Sequence, residues 1–81
     1  MITIKFASDM YVYTPDKKAT IALPCNHPRP LRDILGEVGL TGAEIGFVLL
    51  NNQMLNLLSR DFDILIQDND VIELYPFIGG G

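Results

Sequence analysis

The amino-acid pattern predicts an α+β domain, a mixed sheet of four to five strands with one main helix across one face. Three stretches predict it. Ile2, Ile4 and Phe6 alternate with Thr3, Lys5 and Ala7, the period-two signature of a strand with one buried side. Leu31, Ile34, Leu35 and Val38 then recur at i, i+3, i+4 and i+7, a single apolar stripe with Arg32, Asp33 and Glu37 off it, as an amphipathic helix requires. Ile72 and Leu74 alternate with Val71, Glu73 and Tyr75, a second strand of the first kind.

The remaining elements fall between these. Tyr11, Val12 and Tyr13 are β-prone, and residues 14–17 form a turn with Pro15 at its second position. Residues 19–23 return as a strand with Ile21 and Leu23 toward the core, and Pro24 stops it. Residues 25–30 make an irregular, extended connector, because each proline disfavours the α region for the residue before it. Pro30 suits the first helical position, where its missing N–H costs nothing. Gly36 weakens the helix and Gly39 ends it. Thr41 and Glu44 have capping-box spacing for one further turn. Phe47, Val48, Leu49 and Leu50 are apolar on both faces, as in a mid-sheet strand. Asn51 and Asn52 make a two-residue hairpin turn, since asparagine tolerates positive φ, and residues 53–55 form the short partner strand. Residues 56–63 read as coil or a 3₁₀ turn. Ile64, Leu65 and Ile66 lead to the polar turn 67–70 before the last strand. An N-terminal hairpin, one helix and a C-terminal strand that closes the sheet describe a β-grasp, the ubiquitin-like architecture.

The totals set the bounds. With 81 residues the chain forms one domain and buries roughly 60–65% of its unfolded surface. A content of 48% hydrophobic and 20% charged residues is globular. No apolar run is long enough to span a bilayer, and the N-terminus lacks the pattern of a signal peptide. One cysteine precludes an internal disulfide and fits a reducing compartment, so a cytoplasmic location is expected. Residues 1–32 carry five basic side chains against two acidic ones, a balance of +3. Residues 33–81 carry eight acidic side chains against one basic, a balance of −7. Such a half repels nucleic-acid phosphates and favours a basic protein partner, although acidic residues also simply keep a small apolar domain soluble.

Few residues carry chemistry. Cys25 and His27 have half of a metal-site spacing, yet the chain offers no other Cys or His to complete a zinc site. As a nucleophile, Cys25 would need His27 as base together with an orienting group and a pocket, so the connector is read as a loop. Asp68 and Asp70 are read as turn-formers that bond nearby backbone N–H groups. The conspicuous stretch is residues 75–81, where Tyr75, Pro76, Phe77 and Ile78 are followed by Gly79, Gly80 and Gly81. Three glycines order at high entropic cost and form an arm without Cβ atoms. Taken alone, such an end is equally a frayed terminus or an appended tag.

In element order over its whole length, and in specific motifs from residue 47 onward, the chain resembles the ubiquitin-like sulfur carriers, the MoaD/ThiS-like family that includes the molybdopterin synthase small subunit and the sulfur carrier of thiamine biosynthesis. Val48, Leu49 and Leu50 before Asn51, Asn52 and Gln53 resemble its apolar strand and Asn-containing hairpin. Residues 66–72 resemble its Leu-x-Asp-Gly-Asp-x-Val turn, with Asn69 where glycine is usual. Residues 76–81 resemble its proline, apolar pair and glycine end, with three glycines where two are usual.

The resemblance implies a β-grasp domain over residues 1–78 and a flexible C-terminal glycine arm over residues 79–81. It implies a carrier rather than an enzyme, serving as substrate of an adenylating enzyme and as small subunit of a synthase complex. A ubiquitin-activating-type partner, which holds the ATP and Mg²⁺, threads the arm into its active site. The Gly81 carboxylate attacks the α-phosphate of ATP, releasing pyrophosphate, and the acyl-adenylate is converted to a thiocarboxylate. The sulfur then passes to a sulfur-accepting synthase subunit in molybdenum cofactor or thiamine biosynthesis. Gly81 is thus the reacting residue, and Phe77, Ile78, Gly79 and Gly80 are the partner-binding residues. Phe77 and Ile78 alternatively finish the last strand against the core. The chain itself is expected to bind no cofactor, metal, nucleic acid or membrane. A non-activated β-grasp interaction module and a ubiquitin-like protein modifier are the competing readings.

Overall fold

The computed structural model describes residues 1–7, 19–40, 45–55 and 61–76. Strand β1 (Ile2–Phe6) pairs antiparallel with β2 (Thr20–Leu23) and parallel with β7 (Val71–Pro76). Strand β4 (Ile45–Leu50) pairs antiparallel with β7 on one side and with β5 (Gln53–Met54) on the other. The resulting five-stranded mixed sheet has the order β2-β1-β7-β4-β5. The first and last strands therefore lie side by side at its centre, pointing the same way. This is a β-grasp arrangement, and among the described residues one α-helix, α1 (Leu31–Glu37), lies on one face. The last strand closes the sheet, as expected, by pairing between β1 and β4.

Alternation explains how the core is built. Ile2, Ile4 and Phe6 from β1, Ile72 and Leu74 from β7, and Val48 from β4 meet Leu31, Ile34 and Leu35 from the helix and Val38 from its C-cap. Burying each such side chain contributes about 1.5–3 kcal/mol. Ile21 and Leu23 pack at the margin of this cluster, on the side expected from sequence. Gly39 takes φ = 88° just past the helix. Its N–H donates to the Gly36 carbonyl at 3.1 Å, and the Leu40 N–H donates to the Leu35 carbonyl at 2.8 Å. Those two bonds form a Schellman stop, and the accompanying apolar contact is supplied by Leu35 and Leu40, both buried.

The connector departs from expectation. Arg29–Pro30 is a two-residue strand, β3, paired antiparallel with Leu65–Ile66, β6, in a small second sheet. Pro30 is consequently held extended, at φ = −67° and ψ = 147°, and caps the helix from outside instead of occupying its first turn. It offers no side-chain cap. The first helical N–H, that of Leu31, is satisfied by the Ile64 carbonyl at 2.9 Å, so the chain before β6 does the work of a capping side chain. Arg29 reaches Glu37 at 2.8 Å, placing a cation beside an acid at the helix C-terminus, where the helix dipole disfavours negative charge.

The turns are tied to one another. Asn51 and Asn52 adopt φ = 51° and 71°, the two positive values that a tight type I′ hairpin demands. Residues 61–63 form the 3₁₀ turn. Asn69 adopts φ = 73°, the left-handed conformation that asparagine can take in place of glycine. The Asp70 carboxylate accepts from the Gln67 N–H at 2.8 Å and from Asn51 Nδ2 at 3.0 Å. Asn51 Oδ1 in turn accepts from the Val71 N–H at 2.8 Å. Asp70 is thus the expected turn-former. Asp68 has a further role: its carboxylate accepts from the Met1 ammonium, which fastens the start of β1 to the turn before β7. That bond, reinforced by the ammonium charge, holds the Asp68 carboxyl below its ordinary value of 3.8. The expected strand at residues 11–13, the turn at 14–17 and the capping box at Thr41 and Glu44 lie outside the described residues.

Candidate functional site

Phe77, Ile78, Gly79, Gly80 and Gly81 all lie outside the described residues, as does the boundary between residues 78 and 79. What the structure places is the strand that leads into them. β7 carries the chain along the sheet centre and ends at Pro76, opposite Ile45 of β4. Between Ile45 and Phe47 the register shifts by a bulge, as is common where pairing ends or a side chain is re-aimed. Proline lacks the N–H that a continuing ladder needs.

The sheet face turned away from α1 adjoins this point. Alternation puts Thr3 and Lys5 of β1, Val71, Glu73 and Tyr75 of β7, and Phe47 and Leu49 of β4 on that face. Met54 of β5, directly opposite Leu49, shares it and is 66% exposed. The Phe47 and Tyr75 rings stack with centroids 4.4 Å apart and planes 9° from parallel, an aromatic cross-strand pair on the non-core side of the β4–β7 ladder. The Tyr75 hydroxyl donates to Glu73 Oε2 at 3.3 Å. Partial burial and the neighbouring carboxylate raise the phenol above its ordinary value of 10.0. Tyr75 is a sheet residue, as expected from sequence.

Sequence reasoning missed this surface. The run from Phe47 to Leu50 reads as apolar on both faces, as in a mid-sheet strand, and β4 does lie between β7 and β5. The strand is central, but only Val48 is fully buried there, while Phe47 and Leu49 are half-buried. The helix covers one face only. The signal that existed was the spacing of Phe47 and Leu49 with Tyr75 and Val71, which needs the β4–β7 register to be recognised.

Elsewhere the chemistry-bearing residues serve the fold. The Cys25 thiol is buried, facing the His27 carbonyl at 3.3 Å and the Ile66 carbonyl at 3.8 Å, so it packs the connector against β6. The open depression beside the helix is lined by Arg32, Leu35, Leu40 and Phe62, and its guanidinium is engaged by Asp63 at 2.7 Å. Among the described residues no three His, Cys, Asp or Glu side chains cluster as metal ligands, and no helix is long and apolar enough to cross a membrane. Compared with known proteins, the chain matches no protein-family model and no curated protein.

Proposed function

We propose that this chain is a ubiquitin-like sulfur carrier of the MoaD/ThiS-like kind, activated at the Gly81 carboxylate. The observation that carries the reading is the placement of β7: the central strand of a β-grasp sheet runs out at Pro76 directly into Phe77, Ile78, Gly79, Gly80 and Gly81. Asn69 in the left-handed conformation supports the turn resemblance at the position where glycine is usual.

In this reading a ubiquitin-activating-type enzyme seats the body and takes the glycine arm into its ATP site. A carboxylate is a poor electrophile until it carries a good leaving group. The Gly81 oxygen attacks the α-phosphorus of ATP, pyrophosphate leaves, and an acyl-adenylate remains. A hydrosulfide equivalent from a sulfur donor then attacks the acyl carbon and AMP leaves, which gives the thiocarboxylate. ATP, Mg²⁺ and the general base belong to the partner. Absence of Cβ atoms at Gly80 and Gly81 lets the arm enter a narrow channel, and the acidic stretch from residue 33 onward steers the body toward a basic groove. The apolar face formed by half-buried Phe47, Leu49 and Tyr75 with exposed Met54 suits it to be the face on which the activating enzyme sits. The sulfur-accepting synthase subunit takes up the same arm in the next step, and the body acts from the cytoplasm.

The test is ATP–pyrophosphate exchange with the activating enzyme. Exchange that depends on this chain, and disappears on deleting Gly81, is the expected result. Exchange indifferent to the chain overturns the proposal in favour of a non-activated interaction module.

A further inference from the structure

We draw no further inference here: the strongest candidate, the open sheet face around the stacked Phe47 and Tyr75 with Leu49 and Met54, belongs to the site already described, and nothing in the structure shows what else covers it.

Discussion

Gly36 and Gly39 stand three residues apart at the end of α1, and alanine should act on them in opposite directions. A Cβ at Gly36 meets nothing within 4 Å, so Gly36→Ala removes unfolded-chain entropy without a clash and should stabilise by about 0.5–1 kcal/mol. Gly39 sits at φ = 88°, where a Cβ is strained, and Gly39→Ala should destabilise by about 1 kcal/mol or more. Urea unfolding reads both as opposite shifts of midpoint at unchanged slope. Asp68 gives a pH signature at the same scale. Its carboxyl is held below 3.8 by the Met1 ammonium. Its stabilising contribution is therefore present above 3.8 and is lost as the pH falls through the lower folded value. A carboxyl chemical-shift titration should show a midpoint under 3.8 that returns toward it once the α-amino group is acetylated.

Among the elements, the two turns flanking β7 and β4 act as one unit because Asn51 and Asp70 bond each other. Asp70→Ala should cost about 1 kcal/mol, and a double-mutant cycle with Asn51→Ala should give a coupling of about 0.5 kcal/mol or more. Additive single effects would mean that the turns are independent. The open face makes a second prediction. Met54→Asp changes an exposed side chain on an edge strand, so stability should move by less than about 0.5 kcal/mol. Activation by the partner should nevertheless fall about tenfold, as for loss of a moderate interface residue. Unchanged activation would remove this face from the interface. These elements also show what a sequence reveals. Local patterns were sufficient for β1, for the helical stripe, for the Asn51–Asn52 turn and for the Gly39 stop, because each is decided within a few residues. The β3–β6 pair was not legible. Two residues carry no periodicity, and Arg29 and Ile66 are brought together only by the folded core. The same limit hid Leu31's backbone partner and the Phe47–Tyr75 stack, whereas the glycine end was visible as a motif from the start.

At the scale of the molecule, β1 and β7 share the centre of the sheet, and the sequence after β7 runs from Phe77 to Gly81. On the proposed function, the body thereby holds the strand whose sequence continues to the Gly81 carboxylate, with Ile4, Ile72 and Leu74 fully buried in its core. The most direct test is the intact mass of the chain after incubation with its activating enzyme, ATP and a sulfur source, alongside a chain lacking Gly81. The account predicts a gain equal to the difference between one sulfur and one oxygen atom in the full chain and no change in the shortened one. An unaltered mass in both, or recovery of the full chain joined to a lysine of another protein, would contradict it.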